Sequence, residues 1–199
     1  MDKIKIGYAP TRRSIFSAPD AVKYRGLTAK RLEELGVDFV DITDINDEGL
    51  LYNDEGLEKI IAKFKKEKVD GLFLPHCNFG TEYECARLAK ALDVPVLLWG
   101  PLDERPEPDG TRLRDTQCGL FATGKVLRRF RVPFTYMTNC RLNDPAISTV
   151  GMTTGITRDL NTVGRIIIII MMYCGRIGSM TFVLSFVHRP DLIISARYW

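Results

Sequence analysis

The sequence predicts a doubly wound α/β domain over residues 1–146, built on a parallel five-stranded sheet of order 2-1-3-4-5, followed by an irregular tail over residues 147–199. Two observations carry the domain. Five short apolar runs alternate with amphipathic segments of crossover length, which suits parallel pairing through right-handed connections. Gly, Pro, Asn or Asp stands at most of the joins, where turns and helix ends need them. A third observation sets the tail apart. It holds five Arg and two Asp, but no Lys, Glu or Gln, so the formal charge of +3 belongs to it and the front of the chain is neutral.

The first strand is read at residues 3–9, where Ile4 and Ile6 alternate with polar neighbours and Pro10 ends the run. Ser17, followed by Pro19 and Asp20, predicts a helix start, because the hydroxyl accepts an orphan amide and Pro fits the first turn. That helix runs to Leu35, and Gly36 supplies the left-handed residue that commonly closes one. Residues 37–42 form the second strand. Asn53 and Asp54 open the next helix, whose Leu57, Ile60, Ile61 and Phe64 share one face.

Residues 71–74 are short, apolar and flanked by breakers, as a strand buried on both faces should be. Thr81 and Glu84 have the spacing of a capping box, and Cys85, Leu88, Ala89 and Leu92 make the buried stripe of the helix that follows. The fourth strand is expected at 95–99, a polar Pro-rich loop at 100–112, a helix at about 113–130 and the fifth strand at 133–137. Beyond Pro145 the pattern degrades. Only residues 165–173 and 181–187 have the apolar runs that further buried strands would need.

Composition narrows the function less than it narrows the fold. With 45% hydrophobic and 27% charged residues the chain has the make-up of a water-soluble globular protein. Five Cys without a CxxC pair suggest neither a disulfide framework nor a structural zinc site, and point to reduced, mostly buried thiols in a cytoplasmic protein. Residues 166–174 reach about half the length a bilayer demands, so no membrane partner is expected. Balanced charge without a Lys/Arg block argues against nucleic acid. The glycine-rich phosphate loops of nucleotide-binding folds are absent, as is an acidic pair ending the first strand.

In a doubly wound sheet ligands sit beyond the carboxyl ends of the strands, where the winding reverses. That rule selects residues 10–14, 75–80 and 100–114. Arg12 and Arg13 offer forked donors for an anion or for sugar hydroxyls, although either could equally lie in solvent. His76 could hydrogen-bond a substrate oxygen, and Asn78, which both donates and accepts, suits a polyol; a loop His otherwise does structural work. As a metal ligand His76 lacks a second His or a carboxylate cluster at ligand spacing. Trp99 offers a flat apolar face to sugar C–H groups, though the same ring would serve as core. Asp103 and Glu104 invite an acid–base reading, against which adjacent loop carboxylates are usually just solvated.

Lys5-Ile6-Gly7, the stretch from Asp70-Gly71 to Pro75-His76-Cys77-Asn78-Phe79-Gly80, Val96 to Glu104, Arg112 to Gly119 and Val132 to Tyr136 together resemble the N-terminal domain of the L-fucose isomerase and L-arabinose isomerase superfamily. The resemblance covers about residues 3–145 and implies a flavodoxin-like fold. It implies aldose–ketose isomerisation in carbohydrate metabolism, with a divalent metal such as Mn2+ in the full-length enzyme, whose ligands belong to later domains. It further implies a homo-oligomer in which this domain helps close a neighbouring subunit's sugar site. Carried onto this chain, that gives Arg12, Arg13, His76, Asn78 and Trp99 as sugar contacts, with no catalytic residue, no metal ligand and no cofactor bound by the chain itself.

A family member should continue past Pro145 into a second doubly wound domain. Residues 147–199 do not read as one, and a frameshift or a truncated remnant of that domain would account for them. The chain alone is therefore expected to be inactive. Two alternatives keep the same loops without chemistry: a non-catalytic sugar-binding module, and an interaction domain whose apolar tail docks on a partner.

Overall fold

The computed structural model describes residues 4–137 and 139–143. Within them β1 (Lys5–Tyr8), α1 (Ala18–Glu34), β2 (Asp38–Val40), α2 (Asp54–Glu67), β3 (Gly71–Pro75), α3 (Glu82–Leu92), β4 (Val96–Trp99), α4 (Thr116–Arg129) and β5 (Thr135–Tyr136) follow one another in strict α/β alternation. All strand pairs are parallel, and the sheet order is β2-β1-β3-β4-β5, as the sequence predicts. The boundary near residue 146, the tail and the strands expected at 165–173 and 181–187 lie outside the described residues.

Period-two alternation along the strands sorts their side chains onto two faces. Ala9, Leu72, Leu74, Val96 and Leu98 pack with the apolar stripes of α2, α3 and α4, among them Leu57, Ile60, Phe64, Cys85, Leu88, Leu120 and Leu127. Tyr8, Phe73 and Trp99 point to the other face, where Leu32, with Ala29 and Leu35, brings α1 against them. Burial on both faces explains why β3 reads as an unbroken apolar run and not as an alternating one.

Helix starts show which signals were local. Ser17 accepts from the Asp20 amide, and Asn53 from the Gly56 amide, so both expected caps form. The predicted closure of α1 forms as well, with Gly36 at φ +67° just beyond the cap. Thr81 corrects the capping-box expectation. Its hydroxyl makes no cap bond and instead meets the Thr11 hydroxyl at 3.1 Å, drawn into a tertiary contact between the β1 and β3 loops.

The fourth helix begins at Thr116, three residues later than expected, and its local cap residue Asp115 makes no side-chain cap bond. Asp103, from the loop after β4, does that work. Its carboxylate accepts from the Thr116 amide at 2.9 Å and from the Thr116 hydroxyl at 3.1 Å. An anion at a helix N-terminus also meets the positive end of the macrodipole.

Candidate functional site

The carboxyl ends of β1, β3 and β4 deliver the three expected loops to one edge of the sheet. Backbone bonds tie them together there: Thr11 N–H donates to the Pro75 carbonyl at 2.9 Å, Cys77 N–H to the Thr11 carbonyl at 2.9 Å, and His76 N–H to the Trp99 carbonyl at 2.7 Å. The loops therefore form one platform. Their side chains diverge.

His76 keeps the parity of Leu74 and turns toward α4. It is fully buried, with Nε2 2.8 Å from the Thr123 hydroxyl and Nδ1 3.2 Å from the Leu74 carbonyl. Burial holds its pKa down at about 4, so the ring is neutral at physiological pH. Trp99 has the parity of Leu97 and lies on the opposite face, 1% exposed, stacked near Phe73 with Nε1–H directed at Cys140 Sγ. Asn78 is buried too. Its oxygen accepts from the amides of Arg13, Phe79 and Gly80, while its Nδ2 donates to the carbonyls of Arg13 and Ser17. It is the staple that joins the β1 loop to the β3 loop.

The two arginines are both paired. Arg12 forks onto Glu48 and lies over the Tyr52 ring, 4.0 Å from its centroid. Arg13 pairs with Glu82 and lies over Phe79, and its side chain keeps 33% exposure, the most open of the five expected contacts.

A residue whose role sequence reasoning passed over organises the other half of the edge. The guanidinium of Arg114 is wholly buried. It donates to Glu104 at 2.9 Å, to the Leu102 carbonyl at 2.7 Å and to the Cys77 carbonyl at 3.4 Å, and it lies 3.6 Å from the Tyr24 ring centroid. One side chain thus links α1 to the loops after β3 and β4. The Tyr24 hydroxyl donates to the second oxygen of Glu104. Burial, then this bond, raises Tyr24 to about 12; for Glu104, burial is outweighed by Tyr24 and Arg114, and its carboxyl titrates lower than usual.

Neither Asp103 nor Glu104 is merely solvated, as adjacent loop carboxylates usually are. Asp103 caps α4 and faces Arg114 at 3.7 Å, and burial raises its pKa. Its Oδ1 is buried without a hydrogen-bond partner. The only sequence signal for this cluster was a charged pair followed ten residues on by an arginine, which does not distinguish a buried network from a solvated loop.

Beside this network lies an open cleft of about 350 Å³ between the outer face of α1 and the loop after β4. Among the described residues no group of three or more His, Cys, Asp or Glu side chains is placed to hold a metal ion. The described residues therefore do not fit the divalent metal that the resemblance implies for the full-length enzyme. Cys77, Cys85 and Cys140 are buried and Cys118 is exposed. Among the described residues no helix is long and apolar enough to cross a membrane.

A five-stranded parallel sheet of order 2-1-3-4-5, wrapped by helices on both faces with tethered loops at its carboxyl edge, defines a doubly wound α/β domain. Residues 7–156 match the model of the fucose/sulfoquinovose isomerase N-terminal domain, and the chain belongs to that family. Curated relatives match shorter stretches. The Ktr system potassium uptake protein B of Bacillus subtilis (strain 168) is 56% identical over 41 residues, 21% of this chain and 9% of that protein. The potassium/sodium uptake protein NtpJ of Enterococcus hirae is 52% identical over 40 residues, 20% of this chain and 9% of its own length. The Ktr system potassium uptake protein D of Bacillus subtilis (strain 168) is 50% identical over 53 residues, 27% of this chain and 12% of that protein. The chain thus spans about a tenth of the length of these relatives. Among solved structures, the glycosyltransferase SnogD from Streptomyces nogalater aligns with a TM-score of 0.34 and 13% identity, over 70% of this chain and 46% of that one.

Proposed function

We propose that this chain carries the sugar-contacting N-terminal domain of an aldose–ketose isomerase of carbohydrate metabolism, acting in the cytoplasm, and that it supplies contacts without the metal chemistry. The family match over residues 7–156 is the observation that carries this reading. The platform of loops at the carboxyl edge supports it, since that is where a doubly wound sheet receives a small molecule. In this reading Arg13 meets the sugar, while Arg12, His76, Asn78 and Trp99 hold the rim from beneath. The metal, Mn2+ for the full-length enzyme, and the groups that shuttle protons belong to other domains, and the working enzyme is a homo-oligomer.

The test is paired. Calorimetry of the purified chain with L-fucose should give saturable binding, and an isomerisation assay supplemented with Mn2+ should give no ketose. Turnover that a chelator abolishes would overturn the claim that the domain lacks the chemistry. Absence of binding to fucose and to other aldoses of similar size would overturn the sugar role.

A second reading concerns a part of the chain only. The stretches shared with potassium uptake proteins are 40 to 53 residues long. That length fits residues 147–199, which composition sets apart and which extend past the end of the family match at 156. We infer that the chain joins an isomerase domain to a segment similar to part of a cation uptake protein. This reading competes with a frameshifted or truncated remnant of a second isomerase domain.

A further inference from the structure

The cleft between α1 and the loop after β4 has properties that the predicted sugar rim lacks. Leu27 and Leu102 line it at 42% and 47% exposure, with Pro101 and Leu142 adding to the aliphatic surface. Such side chains in a concave surface are a place for the C–H face of a small ligand. Its polar groups have both characters. Glu104 brings a carboxylate 40% exposed in its side chain, held in place by Arg114 and Tyr24. Arg141 is exposed and has no ion-pair partner among the described residues. The rim residues Arg12, His76, Asn78 and Trp99, by contrast, are buried and engaged with the protein itself.

We propose that this cleft is a seat for a neutral monosaccharide, its aliphatic face against Leu27 and Leu102 and its hydroxyls shared between the Glu104 carboxylate and the Arg141 guanidinium. The inference rests on the reading of this domain as a sugar-contacting one and moves the ring from the Arg13 rim to this cleft. Three features support it. The volume, about 350 Å³, is at the low end of small-molecule sites, as a single sugar ring needs. A hydroxyl both donates and accepts, and the cleft is lined by both a fixed acceptor, Glu104, and a donor, Arg141. Opposed charges in the wall favour a neutral ligand over an anion, which Glu104 would repel.

The experiment titrates L-fucose into the full chain and follows backbone amide shifts by NMR, with Kd values for the protein and for Arg141→Gln and Leu27→Ser. Both substitutions are on exposed side chains, and unchanged amide spectra without sugar verify the fold. Shifts should concentrate at Leu27, Leu102 and Leu142, and Arg141→Gln should weaken binding about tenfold, the scale of one charge-assisted hydrogen bond. Binding that survives both substitutions, with shifts confined to Arg13, Ser14 and Phe79, would overturn the cleft and leave the sugar-contact reading standing. Absence of binding at any site would remove both.

Discussion

Burying His76 commits the domain to a neutral imidazole. In the unfolded chain the ring takes a proton near pH 6.5, whereas in the folded protein it does so only at about 4. The unfolded state therefore holds more protons between those values, and stability rises with pH across that window. Acidifying from pH 7 toward 4 should cost roughly 3 kcal/mol from this residue alone. Urea unfolding of the protein and of His76→Gln, at pH 7 and pH 4.5, measures it: the variant's pH dependence should be the flatter of the two. Parallel dependence would show that His76 is not the group that senses acid.

Arg114 answers the same problem with charge retained. Its guanidinium meets two carboxylates, two carbonyls and an aromatic face, so the cost of leaving water is offset by five fixed partners. Arg114→Met should lower stability by roughly 3 kcal/mol, because Asp103 and Glu104 lose their cation and the Cys77 and Leu102 carbonyls their donor. Arg114→Lys should recover only part of that loss, since an ammonium lacks the planar fork that spans α1 and both loops. Equal stability of the Met and Lys variants in denaturant titrations would mean that shape, not charge, is what the site requires.

Among the elements, α4 bears most directly on the loop platform. Gly119 lets it approach the β3 loop: a Cβ there would stand 1.8 Å from the Phe79 carbonyl oxygen, so a side chain forces the helix and loop apart. Gly119→Ala should therefore cost roughly 2 kcal/mol or more. Gly26→Ala, in the middle of α1 with nothing within 4 Å of the added carbon, should instead stabilise by about 0.5–1 kcal/mol. Thermal melts of the two variants should shift in opposite directions. If Gly119→Ala melts with the unmodified protein, the close contact between α4 and Phe79 is not present in solution.

Helix and strand order were legible in the sequence because period, breakers and local caps all act within a few residues. The start of α4 was not, because its cap comes from Asp103 across a loop, and Thr81 failed as a local cap because Thr11 competes for its hydroxyl. The position of the three loops followed from where strands end. Which way Trp99 and His76 face depends on strand parity, and the one-residue offset between Leu74 to His76 and Leu97 to Trp99 sends them to opposite faces of the sheet. Arg114 was hidden for a different reason: its burial depends on Tyr24, 90 positions away in the chain, and nothing local marks it.

For the whole molecule the distribution of charge matters more than its sum. The front is neutral, whereas residues 147–199 carry Arg158, Arg165, Arg176, Arg189 and Arg197 among apolar runs at 166–174 and 181–187, with only Asp159 and Asp191 opposing them. Cationic side chains flanking apolar stretches favour an anionic lipid surface, by about 1 kcal/mol for each Lys or Arg near it. If this segment is the part similar to potassium uptake proteins, the full chain should co-sediment with vesicles containing anionic phosphatidylglycerol, and a chain ending at residue 146 should stay in the supernatant. The binding should weaken with salt only in part, because the apolar contribution is not screened. A frameshifted or truncated remnant makes a different demand: the full chain should aggregate without vesicles as readily as with them, and deletion should only raise solubility. Equal partitioning of both chains into the supernatant, with no aggregation, would remove each of these accounts of the tail.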